Sequence, residues 1–115
     1  MLKHTISFKN AFIGIWTAIT TQNNLRIHFV IALIIFGLSI YFEVNQVQLL
    51  VLILTIGLVM IVEMINTSIE FLCDAITTEH NEFIKYAKDV AAGAVLVSAI
   101  FASLVGLIIF IPKFI

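Results

Sequence analysis

Charge is what this sequence has least of. Only 11% of its 115 residues are Asp, Glu, Lys or Arg, against about 25% in an ordinary soluble domain. A chain this short must cover itself with polar side chains to fold in water, so the composition excludes a soluble globular domain. Positive charge is not in excess either. Six Lys+Arg stand against seven Asp+Glu, a formal net charge of −1, which excludes a nucleic-acid binder that neutralises phosphates with a broad basic face. The lone Cys73 can neither close an intramolecular disulfide nor start a cysteine-rich zinc site. One proline and five glycines leave no collagen-like repeat and no flexible linker. The phosphate-cradling pattern GxxxxGK[ST] is absent, as is any soluble-kinase signature, so a nucleotide would have to be held by helix ends.

What fills the chain is apolar: 62% of residues are hydrophobic and the mean hydropathy is +1.16. Crossing a hydrocarbon core of roughly 30 Å takes about 20 apolar residues at ~1.5 Å rise each. Three stretches approach that length, at residues 27–42, 44–62 and 90–111. The second is held between Glu43 and Glu63, and the third between Asp89 and the Pro112-Lys113 pair. The turn Glu43-Val44-Asn45-Gln46 is short enough to make the first two an antiparallel hairpin. The predicted fold is therefore an all-α membrane protein of one domain. It has an N-terminal interfacial amphipathic helix over 1–22 and membrane helices at about 25–42, 47–76 and 84–111.

In the first segment Phe8, Phe12, Ile15, Trp16 and Ile19 form one stripe, with Lys3, Asn10, Thr17 and Thr21 opposite. Such a helix lies in the headgroup plane or, alternatively, packs on the bundle. Asn23 and Asn24 end it and can cap the next helix. Lys3, Lys9 and Arg26 precede the first span, and Lys85 and Lys88 lie between the second and third. The positive-inside rule then puts the N-terminus and the 74–89 loop in the cytoplasm of an inner (plasma) membrane protein.

The second apolar helix continues past Glu63 to about Ile76, and within the continuation lie Glu63, Asn66, Glu70 and Asp74. At ~100° per residue the four share an arc of about 80° along roughly 16 Å of axis. Carboxylates crowded on one stripe in a low-dielectric setting are costly unless protonated, paired with cations or bound to metal. Oxygen ligands of this kind suit Mg²⁺ shared with nucleotide phosphates. Lys85 and Lys88, followed by Asp89, supply phosphate-binding charge at the start of the third span. The alternative is that acids and lysines only pair with one another to fix helix packing. His28 reads as an interfacial or packing residue, and Cys73 as a small apolar group.

The run Glu63-Met-Ile-Asn66-Thr-Ser-Ile-Glu70-Phe-Leu-Cys-Asp74, then Glu79-His80-Asn81, then Ala87-Lys88-Asp89-Val-Ala-Ala-Gly-Ala-Val resembles the signature of the small prokaryotic diacylglycerol kinases, which include undecaprenol kinases. The resemblance covers almost the whole chain. It implies a homotrimeric integral membrane lipid kinase that moves the γ-phosphate of ATP to a lipid hydroxyl with Mg²⁺. Glu63 would be the general base, Asn66 would stand beside it, and Glu70 would hold the metal. Lys88, Asp89, Glu79, His80, Asn81, Lys3 and Asn10 would contact ATP, and Ala92 would lie near the lipid.

One position departs from the family pattern. Where the family has a second acidic metal ligand, this chain has Gln22, in the run Gln22-Asn-Asn24-Leu-Arg26-Ile-His28. That run resembles the undecaprenol-kinase branch more than the diacylglycerol branch. A neutral amide there implies weaker metal binding or an impaired member. The remaining rivals are a non-enzymatic membrane scaffold and a small ion or proton transporter. Transport fits least, because the acids gather at one end of the spans.

Overall fold

A segment surrounded by hydrocarbon must pair every backbone N–H and C=O within itself, so long apolar runs without internal breakers become helices. The computed structural model describes residues 8–115, which form four helices: α1 (Phe8–Thr21), α2 (Asn23–Tyr41), α3 (Gln46–Ile76) and α4 (Glu82–Phe114). The last three are each long and apolar enough to cross a bilayer. With 31 and 33 residues, α3 and α4 are about 46 and 50 Å long, well beyond a hydrocarbon core of roughly 30 Å. Both helices therefore carry their polar ends out of the apolar zone. Hydroxyls inside the spans bond back to their own helix: Ser39 Oγ donates to Ile35 O at 2.8 Å, and Thr55 Oγ1 to Val51 O at 2.7 Å. Both hydroxyl protons are thereby satisfied in an apolar setting.

Each junction has a local cause. Between α1 and α2 the backbone of Gln22 is extended (φ −117°, ψ 111°), which breaks one helix from the next. Between α2 and α3, Glu43 takes a positive φ of 51° and the Val44 N–H reaches back to Ser39 O at 3.1 Å. Asn45 then starts α3 with a capping box: its Oδ1 accepts from the Gln48 N–H at 2.8 Å, and its own N–H donates to Gln48 Oε1 at 3.2 Å. Asn81 starts α4, its Oδ1 accepting from the N–H groups of Phe83 and Ile84.

Two boundary expectations are corrected. Asn23 and Asn24 lie inside the first turn of α2 rather than capping it; Asn23 Oδ1 accepts from the Arg26 guanidinium one turn on, which holds it within the helix. Nor does the last span stop at Pro112, since α4 runs to Phe114; the proline removes the N–H that would bond the Ile108 carbonyl and crowds that carbonyl, but only two further helical residues follow it.

The packing is centred on α3, against which α1, α2 and α4 all lie, while the backbones of α2 and α4 stay apart. Leu52, Ile109 and Phe110 form a buried cluster near the Glu43 turn, with Ile35, Leu38, Phe42, Val44 and Val105 around it. Phe42 also meets Phe114 edge-on at 4.8 Å between ring centres. A cavity of about 580 Å³ lies between α2, α3 and α4, lined by groups such as Ile31, Met60, Ala102 and Phe110, with His28 at one end. Outward, the spans present Phe29, Leu33, Leu54, Leu58, Leu96 and Phe101. Such an apolar circumference suits acyl chains or copies of the same chain, not water. On α1, Phe8, Phe12 and Trp16 are exposed as well, and Ala18 makes its buried contact. Lys3 and the rest of 1–7 lie outside the described residues.

Candidate functional site

The polar stripe on α3 grades from interior to surface. Glu63 is 2% exposed, Asn66 and Glu70 are half-buried, and Asp74 is exposed. Glu63 lies 17 residues beyond Gln46, about 25 Å along the axis, which is close to the far edge of a hydrocarbon layer anchored at the Glu43 turn. Thr67 donates its hydroxyl to the Glu63 carbonyl at 3.0 Å and so keeps its own side chain on the same turn.

Two contacts tie the stripe to its neighbours, and one links it internally. On α2, His28 Nε2 stands 3.3 Å from Glu63 Oε1. The approach is an ion-pair distance without the alignment of a hydrogen bond, and Glu63 Oε1 is left with no hydrogen-bond partner. One turn along α3, Asn66 Nδ2 donates to Glu70 Oε1 at 2.9 Å, and the Asn66 Oδ1 is likewise buried and unpartnered. On α4, Lys88 Nζ donates to Asp74 Oδ1 at 2.7 Å. A buried acceptor without a partner costs about 1–3 kcal/mol, more when charged. The two lie within one helical turn of each other, so a donor or a cation from outside the chain would relieve that cost.

These contacts set the register of the helices, which run antiparallel. With His28 beside Glu63, six residues back along α2 and seven forward along α3 bring Gln22 to the level of Glu70. With Lys88 beside Asp74, one turn further along α4 and one turn back along α3 bring Ala92 to that same level. Ala92 is exposed, while its neighbour Ala91 is buried. Glu70, Gln22 and Asn66 each carry an oxygen of the kind a hard cation prefers, and Asn66 and Glu70 are in contact. Among the described residues no three His, Cys, Asp or Glu side chains converge into a cage. A cation here would take one or two carboxylates and share the rest of its shell, as Mg²⁺ does with phosphates.

The other sequence candidates sit at the same end of the bundle without joining the stripe. Asp89 pairs with Lys85 at 2.7 Å, one turn apart on α4. In the short α3–α4 connection the Glu79 N–H donates to Thr77 Oγ1, His80 Nε2 stands 3.2 Å from Glu82 Oε1, and Asn81 caps α4. Asn10 is exposed on α1. The residue that sequence reasoning undervalued is His28. Its signal was there, an ionisable group in the first turns of a span at the depth where Glu63 ends another, but only the helix register shows that the two meet.

Three apolar helices that gather carboxylates, an amide and a lysine at one end define a membrane protein with a polar site at the lipid boundary. Comparison with known proteins names the class: residues 9–110 match the family model for prokaryotic diacylglycerol kinase. The chain belongs to that family of lipid kinases. It is 37% identical to the undecaprenol kinase of Bacillus subtilis over 93% of this chain and 87% of that protein. It is 38% identical to a diacylglycerol kinase of Synechocystis over 93% of this chain, spanning 62% of that longer protein. With the Escherichia coli diacylglycerol kinase it shares 37% identity over 56% of this chain and 53% of that protein.

Proposed function

We propose that this chain phosphorylates a membrane lipid alcohol, diacylglycerol or undecaprenol, using ATP. The observation that carries the reading is Glu63: a buried carboxylate at the hydrocarbon edge, one oxygen unpartnered, heading a polar stripe that ends at Lys88. In this scheme the lipid hydroxyl lies against Glu63, which takes its proton as the oxygen attacks the γ-phosphorus. The bond from that phosphorus to the β-phosphate bridging oxygen breaks, and ADP leaves. Asn66 and Ala92 flank the acceptor. Phosphoryl transfer asks a protein mainly for positioning and charge neutralisation. Lys88 supplies neutralisation by exchanging Asp74 for phosphate, with Asp89, Glu79, His80, Asn81, Asn10 and Lys3 as the remaining nucleotide contacts. Glu70, Gln22 and the Asn66 amide oxygen would hold Mg²⁺, which screens the triphosphate charge when bound.

The proposal extends to setting. The Lys-bearing end and the site face the cytoplasm of the inner (plasma) membrane. There α1 lies in the headgroup layer with Phe8, Phe12 and Trp16 in contact with lipid. The apolar outer faces join three copies into a homotrimer with sites shared between neighbours.

The test is a phosphorylation assay of the purified protein with labelled ATP, Mg²⁺ and each lipid alcohol in parallel. The parent is expected to label at least one of the two, and Glu63→Gln to lower kcat by about 100-fold or more. No labelled lipid at any Mg²⁺ concentration would leave a non-enzymatic scaffold or an impaired family member in its place.

A further inference from the structure

The buried Glu63 carboxylate has one chemically matched neighbour. Its Oε1 is unpartnered and out of reach of solvent, and among the described residues His28 Nε2, at 3.3 Å, is the only cationic or potentially cationic atom within ion-pair distance. The charged groups at this end of the elements packed around it are otherwise engaged or further along their helices. On α3, Glu70 is bonded by Asn66; on α4, Lys88 and Asp89 are paired with Asp74 and Lys85; on α2, Arg26 bonds Asn23. On α1 the described charge is Lys9, near its start. His28 is also half-buried and lines the inner end of the cavity between the three spans.

We propose that His28 is a positioning residue for the phosphorylation: its ring N–H holds the Glu63 carboxylate by Oε1 and leaves the second oxygen turned to the lipid hydroxyl. A small tilt of the imidazole converts the 3.3 Å approach into an aligned hydrogen bond. Such bonds are commonly loose without substrate and tighten in the reacting complex. A carboxylate held by one oxygen presents the other in one direction, and catalysis by a general base is sensitive to misplacement of that order. The inference rests on the kinase reading above, with Glu63 as base.

The experiment combines turnover with a measurement that needs none. His28→Ala is expected to lower kcat about 10- to 100-fold and to leave the KM for MgATP within about twofold. His28→Gln, which keeps an N–H donor, is expected to retain more activity than His28→Ala. Because His28 acts through Glu63, the double variant His28→Ala/Glu63→Gln is expected to be no slower than Glu63→Gln alone. Losses that multiply, or His28→Ala turning over at the parent rate, would overturn the proposal. In parallel, NMR of protein carrying isotope-labelled histidine is expected to show the His28 ring N–H resonance moving in Glu63→Gln while that of His80 stays put. An unmoved His28 signal would refute the pairing, and this arm does not depend on any His28 variant folding. A parent without kinase activity would instead sink the functional reading, and the NMR arm would still decide the contact.

Discussion

Gln22 places an uncharged amide at the level of Glu70, where a carboxylate would add negative charge to the proposed Mg²⁺ site. Affinity for hard cations follows ligand charge. Gln22→Glu is therefore expected to lower the Mg²⁺ concentration needed for half-maximal turnover, by roughly tenfold if one carboxylate completes the shell; a magnesium titration of initial rates reads it directly. Lys88 is the complementary case. Its Nζ bonds Asp74 at 2.7 Å in a solvent-exposed pair that costs little to open, and Lys88→Met removes the charge that would turn to phosphate. The expected outcome is a rise of tenfold or more in the KM for MgATP, checked by initial-rate kinetics.

At this scale Glu63, Asn66, Glu70 and Asp74 were legible in the sequence because one rigid helix fixes their relative angles. The gradient from buried Glu63 to exposed Asp74 was not, since burial depends on what α2 and α4 bring alongside. The His28–Glu63 approach escaped for the same reason, joining residues far apart in the chain through a register that no local pattern encodes.

Among the elements, the α2–α3 turn carries the clearest local determinants. The capping box at Asn45 satisfies two otherwise free groups at the start of α3. Asn45→Ala is expected to cost about 1 kcal/mol, seen as a lower Tm in thermal unfolding in detergent. Next to it, Glu43 holds a φ of 51°, where a Cβ is unfavourable. Glu43→Gly is expected to be neutral or to stabilise by up to about 1 kcal/mol in the same measurement. The three spans were plain from apolar run length alone, and so was the hairpin turn. Their ends were less plain. Asn23 and Pro112 look like boundaries from residue preference, yet the Asn23–Arg26 contact keeps the first within its helix, and the second is followed by two more helical residues before α4 ends.

For the whole molecule, the decisive property is an apolar circumference around a thin interior. Only a few side chains near the Glu43 turn form a continuous buried cluster, and α2 and α4 leave a cavity of about 580 Å³ between them and α3. A bundle so loosely filled leaves stability to be gained from the proposed neighbouring copies. Chemical cross-linking in lipid nanodiscs is expected to trap three copies, and particles holding one copy are expected to lose most turnover; full activity from single copies would contradict the proposed trimer.

The uninterrupted course of α3 from Gln46 to Ile76 has a mechanical consequence. Anchor and chemistry share one stiff rod with no hinge to absorb an error in spacing. Adding or deleting a single residue between Asn45 and Glu63 would screw the acids round by about 100° and slide them by about 1.5 Å, turning Glu63 off His28 while the apolar stretch still crossed the bilayer. In this stretch the outward apolar side chains can be exchanged for one another, but the length cannot change.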